Sequence, residues 1–496
     1  MKKTSKSQIF QFDNTYVNLP TNFYQKINPV PVKKPLLLKL NHELSNYFNL
    51  DIDSLKSNLG ISILSGNKVP ANTTPLAMVY AGHQFGNFVT QLGDGRAVLL
   101  GEIIAKNGKR YDLQLKGSGQ TIFSRQGDGR SPLGPVIREY IISEAMHYLG
   151  IPSTRSLSII STGEVVERER VEPGGILVRI SSSHIRIGTF EFFRARKDLV
   201  SVKKLADYTI KRHFPEILSS KNKYKLFLDK IIESQAKLVA QWMNVGFIHG
   251  VMNTDNTSIS GQTIDYGPCA FMNNFDPNTV YSFIDVYGRY SYGNQPKIML
   301  WNLSKFAECI SFLINENNEE ANKVILNSLS KFSQLFDKFW IKAISEKLGL
   351  FESLQENREL IEKFLTIMFE QKTDFTLTFR KLSESLENQE KKMNFFSLFK
   401  NEKLITNWHN NWMERLNKEK SSKEKISNKM KNKNPLVIPR NHLVEKAINK
   451  AVEKCDFSMV NDLVEVLKKP FETNKKINLF EPPKPGEDIK NTFCGT

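Results

Sequence analysis

The chain has 496 residues, with 69 Lys and Arg against 52 Asp and Glu, a formal net charge of +17, and 40% hydrophobic residues. That composition is too apolar for a disordered chain, and the length suits two or three packed subdomains. The longest apolar runs, such as 35–38 and 97–100, fall far short of the roughly 20 residues that a bilayer span requires, so a soluble protein is expected.

The amino terminus is basic, with neither an apolar segment behind it nor the Arg-rich amphipathic character of a transit peptide, so no targeting segment is expected. Up to about residue 195, Gly and Pro punctuate short β-type runs at 97–104, 111–115, 156–160 and 175–180. A single helix is predicted among them at 135–149, stopped by Gly150-Ile151-Pro152. From 198 to 247 the pattern is helical, with a buried helix at 231–246, and residues 300–416 are again mostly helical beyond a loop-rich stretch. Segment 417–434 holds seven Lys, two Glu, four Asn and no aromatic residue, which predicts a solvated linker or loop. Helices from about 442 to 467 and a Pro/Lys-rich tail from Phe471 complete the chain. Four scattered cysteines, Cys269, Cys309, Cys455 and Cys494, form no CxxC pair and no disulfide framework, as expected of a cytoplasmic protein.

The charge divides by residue type. Of 18 Arg, 12 lie between Arg96 and Arg196, where there are three Lys, while the rest of the chain carries 48 Lys and six Arg. Dispersed Lys reads as a solvated background, whereas clustered guanidinium forks match phosphate oxygens. Within this segment Gly93-Asp94-Gly95-Arg96 recurs as Gly127-Asp128-Gly129-Arg130, either as two ordinary DG turns or as paired anion-binding loops. Arg168, Arg170, Arg194 and Arg196 match no motif and are assigned to the surface. His83 and Gln84 are assigned to a loop without a chemical role.

Five further elements follow an ordered series. Gly93-Asp94-Gly95 precedes a β-type run; Lys116 comes 23 residues after Gly93, and Glu139 follows another 23 residues on, inside the predicted helix. His249 to Asn256 then leads, nine residues later, to Asp265-Tyr266-Gly267. This is the order of a protein kinase: glycine loop, strand Lys, helix Glu, catalytic loop and metal-binding DFG. It implies an α+β, kinase-like two-lobed fold: an N-terminal lobe at 1–195, a mostly helical lobe at 196–416, the 417–434 linker, and helices and tail at 435–496. The match departs at Val251, which stands where a kinase has its base, and at Val98, which stands where the third glycine would be. Asp255, beside Asn256, is the acidic group at hand. Either the chain is an inactive nucleotide-binding scaffold, or the nucleotide lies differently and Asp255 serves attack on another phosphate.

The runs Tyr80-Ala-Gly-His-Gln-Phe-Gly86, Gln91 to Arg96, Leu113 to Gly119, Gly127 to Pro132, His249 to Asn256 and Ile264 to Pro268 resemble the selenoprotein O family, also called the YdiU type. The resemblance runs from about Phe12 to the tail. It implies a pseudokinase fold that binds ATP in reverse and transfers AMP to Ser, Thr or Tyr hydroxyls of proteins. By motif, it implies that Gly93, Gly95 and Arg96 line the nucleotide, with Asp128 and Gly129 approaching it. It also implies that Lys116 contacts phosphate and pairs with Glu139, and that Arg179 and Arg186 complete the pocket. Asn256 and Asp265 would hold Mg²⁺ or Mn²⁺, with Asp265 also at the nucleotide, and Asp255 would take the hydroxyl proton. Family members often carry Cys or selenocysteine three residues from the end, where Cys494 stands, and Cys269 follows the Asp-Tyr-Gly turn, making the two a candidate redox pair.

The expected partners are therefore ATP and protein substrates, with neither nucleic acid nor membrane. UMP transfer from UTP and a scaffold without transfer stand as alternatives, because nothing in the sequence defines the base pocket. The charge suggests a single triphosphate as the phosphate partner.

Overall fold

A computed structural model of the chain describes residues 8–352, 354–473 and 479–492. Its first part is built on an antiparallel sheet. The strands in chain order are β1 (Tyr24–Lys26), β2 (Leu36–Leu40), β3 (Leu76–Met78), β4 (Gly82–Gln84), β5 (Asn87–Val89), β6 (Ala97–Ile104), β7 (Arg110–Lys116), β8 (Ser131–Pro132), β9 (Arg155–Glu167) and β10 (Val171–Ser181). The order across the sheet is β1-β3-β6-β7-β10-β9-β2, with β8 also pairing with β10, while β4 and β5 form a separate hairpin. The four β-type runs of the sequence correspond to β6, β7, β9 and β10; the last two extend beyond the expected limits because they pair along most of their length. Three short helices, α1 (His42–Tyr47), α2 (Ile52–Lys56) and α3 (Asn58–Leu64), contribute Leu44, Leu55, Ile63 and Leu64 to a core against one face of the sheet.

Helix α4 (Leu133–Tyr148) is buried nearly all round, not only on the apolar stripe that the sequence suggests. Two layers account for this. Val136, Ile137 and Ile141 share a core with Ile159 and Leu177 of the sheet and with Val444, Ile448, Leu463 and Val464 of two carboxy-terminal helices that close over α4. The remaining helices are α5 (Ile187–Ala195), α6 (Leu199–His213), α7 (Lys223–Asn244), α8 (Gln295–Ile314), α9 (Asn318–Lys347), α10 (Arg358–Gln371), α11 (Phe375–Glu384), α12 (Gln389–Phe396), α13 (Glu402–Leu416) and α14 (Lys423–Lys431), followed by the carboxy-terminal pair α15 (Asn441–Lys454) and α16 (Ser458–Leu467). Among the described residues no helix is long and apolar enough to cross a membrane.

The expected linker at 417–434 requires correction, because α14 occupies its centre. Ser422 caps the helix, Ile426 and Met430 are buried one turn apart, and Asn434 donates to Lys347 O and Ser383 Oγ, both at 2.8 Å. Two apolar residues at i and i+4 suffice to seat a helix whose other face is all Lys, Glu and Asn.

Two short strands matter for the site. In β11 (Phe247–Ile248) and β12 (Ala270–Phe271), Phe247 pairs with Phe271 and Ile248 with Ala270, which draws the 249–256 and 265–269 loops together. His249 Nε2 donates to Ile264 O at 2.9 Å and fixes the same approach from within. Elsewhere in the sheet, Glu102 of β6 accepts from the backbone N–H of Thr15 and Tyr16 at 3.0 and 2.6 Å, fastening the amino-terminal segment.

Beside Glu102 lies a buried charged layer in which Arg212 Nη2 donates to Asp112 Oδ1 at 2.6 Å and His184 Nδ1 lies 3.0 Å from Asp112 Oδ2. Burial pushes the His184 imidazole down to about 4, and burial with the adjacent Arg212 pushes His213 down to about 3. Both fold as neutral rings. Below the ordinary histidine value the unfolded chain takes up protons that the folded chain refuses, so stability is complete above about pH 6.5 and falls as pH drops toward about 4. Each ring contributes a slope of about 1.4 kcal/mol per pH unit in that window. Urea denaturation at about pH 7.5, 6 and 5 is expected to show this loss, and His213→Gln is expected to reduce the slope. An unchanged slope in the variant would contradict the assignment.

Candidate functional site

Residues from four elements meet at one carboxylate. Lys116 at the end of β7 donates to Glu139 Oε2 of α4 at 2.6 Å and to Asp265 Oδ1 at 3.2 Å. Arg179 of β10 donates through Nη1 to Glu139 Oε1 at 3.1 Å and to Asp265 Oδ1 at 2.6 Å. Arg186, at the start of α5, donates to Asp265 Oδ2 and, at 2.6 Å, to Asp255 O. Three cations thus face two carboxylates. The strand pairing explains part of this convergence, since Lys116 lies opposite Leu177 and Gln114 opposite Arg179 across β7 and β10.

The electrostatics separate the acids into two kinds. Burial alone would raise Asp265, but Arg186, Lys116 and Arg179 outweigh it and hold its carboxyl well below the usual range. Glu139 is likewise buried and pulled down by Lys116 and Arg179. Asp255 and Asp94 form no ion pair with these cations among the described residues, and burial pushes each up to about 6. Asp255 Oδ2 accepts from Gln84 Nε2 at 3.3 Å, and its buried Oδ1 has no hydrogen-bond partner among the described residues. Asp265 itself sits at φ 60°, a left-handed backbone that a non-glycine residue adopts at a cost of order 1–3 kcal/mol. Its ion pairs hold it there.

Asn256 closes a short 3₁₀ turn, Thr254–Asn256, and donates its amide to Val251 O at 3.0 Å, leaving its carbonyl oxygen as an acceptor. Its carbonyl oxygen and the Asp265 carboxylate are oxygen ligands of the type that would suit Mg²⁺ or Mn²⁺. No cluster of three or more acidic, His or Cys ligands exists among the described residues.

The two Gly-Asp-Gly-Arg turns are not equivalent. Gly93 and Gly95 lie under Phe123, and Thr121 Oγ1 donates to Asp94 O at 2.8 Å, so the segment before the second turn folds over the first. Asp94 Oδ2 accepts from Met78 N and Gln114 Nε2, both at 3.1 Å, while Gln114 Oε1 accepts from Arg179 at 2.6 Å. The first turn is thereby one relay away from the charge cluster. Arg96 Nη1 is buried there without a partner among the described residues. In the second turn, Asp128 instead holds Arg168 at 2.9 and 3.1 Å, and Gly129 O accepts from Gly119 N at 3.0 Å. Arg130 donates to Val30 O and Pro31 O. Arg168 is therefore a clasp on this turn and not a free surface residue. Arg196, likewise assigned to the surface, donates to Thr90 O at 2.9 Å and stacks on Phe192.

Several residues without an expected role support the Asp255 turn. Glu191 of α5 bonds His83 Nδ1 at 2.6 Å and accepts from Thr254 Oγ1, and His83 N donates to Thr254 Oγ1 at 2.7 Å. A Cβ on Gly82 would lie 2.5 Å from Asp255 Oδ1, so only glycine admits this approach. The motif Gly82-His83-Gln84 is visible in the sequence, but the target of Gln84 lies 171 residues away. Cys269 is buried beside this region, whereas Cys494 lies outside the described residues, as does its pairing with Cys269.

Removal of Arg179 leaves buried carboxylates short of a cation, and Arg179→Ala is expected to lower unfolding free energy by about 3–5 kcal/mol in urea. Arg96→Ala, which breaks no ion pair, is expected to cost less than about 1 kcal/mol. Equal losses would contradict the division between a clamp and an unpartnered cation.

Residues 7–468 match the family described as protein adenylyltransferase SelO. The chain is 48% identical over 488 residues to a protein nucleotidyltransferase YdiU of Rhizobium meliloti, covering 98% of this chain and 99% of the relative. Against the protein of that name from Clostridium perfringens strain SM101 the identity is 50%, with 98% of each chain covered. A Rhodopseudomonas palustris relative is 49% identical over 98% of this chain and 99% of its own. The chain therefore belongs to the SelO family of protein adenylyltransferases.

Proposed function

We propose that the chain transfers AMP from ATP to Ser, Thr or Tyr hydroxyls of target proteins and releases pyrophosphate, on a two-lobed kinase-like fold. The sheet order β6-β7-β10-β9, with the Lys116 strand in the middle and α4 running between β7 and β9 in the chain, supports the fold reading. One observation carries the function: a buried Asp255 without an ion pair stands beside an Asp265 held ionised by three cations.

In this reading the residues divide the work. Lys116, Arg179, Arg186 and the unpartnered Arg96 bind and orient the triphosphate, and Glu139 fixes Lys116. Gly93 and Gly95 line the nucleotide, and Asp128 with Gly129 lies at its outer side. Asn256 and Asp265 would hold Mg²⁺ or Mn²⁺, which neutralises phosphate charge when bound. Asp255 accepts the proton of the target hydroxyl at its Oδ1; the hydroxyl oxygen bonds to the α-phosphorus, the bond to the α,β-bridging oxygen breaks, and its electron pair leaves with pyrophosphate. A carboxyl raised by burial is a stronger base than an exposed one, which suits this task.

The test uses ATP labelled separately at the α- and γ-phosphate, with Mg²⁺ or Mn²⁺ and a mixture of cellular proteins. The α-label is expected to enter protein and to be lost in Asp265→Ala and Asp255→Ala, by about 100-fold or more for the base. Gly82→Ala, which displaces Asp255 without removing it, is expected to lower transfer while leaving ATP binding intact. Entry of γ-label, or of neither label, would overturn the reading, and preferential entry of α-label from UTP would shift it to uridylyl transfer.

A further inference from the structure

The turn between Ser282 and Tyr290 combines two features that the reaction does not use. Ile284, Val286 and Tyr287 are 64%, 82% and 97% exposed. Soluble proteins seldom present several large apolar side chains so close together without a partner. The turn is nevertheless firmly built. Asp285 is buried, and its carboxylate accepts from Arg289 N at 2.9 Å and Tyr290 N at 2.7 Å. Tyr290 OH donates to Asn253 Oδ1 at 2.6 Å, and the same oxygen accepts from Phe85 N at 3.1 Å. Asn253 is two residues before Asp255, so the exposed turn, the β4–β5 hairpin and the catalytic loop share one anchor.

The second feature is a cation. Arg289 lies against Gly86 in that hairpin, with its guanidinium 4.9 Å from the Trp301 ring. It forms no ion pair among the described residues, and its Nε is buried without a hydrogen-bond partner there. A stacked guanidinium that no acid among the described residues neutralises is preorganised for a carboxylate.

We propose that the 284–287 turn and Arg289 form the docking surface for the target polypeptide, which supplies an apolar side chain and a carboxylate beside its acceptor hydroxyl. The proposal rests on the reading that a protein hydroxyl is the acceptor. Charge favours this occupant over a second copy of a chain that itself carries +17. The apolar residues supply contact area, Arg289 selects the acid, and the shared Asn253 anchor directs the bound segment toward Asp255.

Binding, not transfer, is the readout. Fluorescein-labelled peptides with one central Thr, flanked either by Leu and Glu or by Gly and Gln, are titrated with the full chain and followed by anisotropy. The Leu/Glu peptide is expected to bind about tenfold or more tightly than the Gly/Gln peptide. Val286→Ser with Tyr287→Ser is expected to weaken it about tenfold, and Arg289→Gln to reduce but not abolish the preference for the Leu/Glu peptide. ATP binding by each variant serves as the check on folding. Equal binding of the two peptides, or unchanged preferences in both variants, would overturn the proposal, as would concentration-dependent self-association of the wild type that the double variant loses. A chain that binds the Leu/Glu peptide yet moves no α-label would refute the transfer reading and leave the docking surface standing.

Discussion

The carboxylate of Asp265 is the point on which the site depends. It is largely but not wholly shielded from solvent, held in a left-handed backbone, and approached by Lys116, Arg179 and Arg186 from three separate elements. Each ion brought into the interior loses its hydration, and the arrangement is tolerable only because every one meets an opposite charge at hydrogen-bond distance. The same pairing ties sheet to helical region: β7 and β10 provide two cations, the start of α5 the third, and the β11–β12 pairing presents the acid. Loss of any cation therefore weakens the fold and the site together.

Around this point Lys116, Arg179 and Arg186 face the ionised Glu139 and Asp265, while burial pushes the neighbouring acids Asp94 and Asp255 up to about 6. The Asp255 carboxylate forms no ion pair with these cations among the described residues, is held by Gln84 and confined by Gly82, and so stays raised while Asp265 is held well below the usual range.

The parts of the site legible in the sequence are those whose spacing reflects chain order. Lys116, Glu139 and Asp265 fall at intervals set by strand, helix and loop, and the structure brings the three together. The Arg concentration is legible only in part. Arg179 and Arg186 reach the cluster, but Arg130, Arg155 and Arg168 clamp backbone carbonyls or acids, because a planar guanidinium is as useful for fastening loops as for holding phosphate. The partners of Gln84 and Glu191 leave no local signal, because they come together through tertiary packing over long sequence separations. In α14, a Lys-rich surface masks a two-residue apolar stripe, and only the neighbouring helices make that stripe sufficient.

In the proposed reaction a target hydroxyl attacks the α-phosphorus of ATP. Intact-mass spectrometry of a purified target protein, after incubation with the chain, ATP and Mg²⁺ or Mn²⁺, distinguishes this from phosphoryl transfer. A mass gain of one AMP on the target, absent with Asp255→Ala, is the result predicted; a gain of one phosphate group would contradict it.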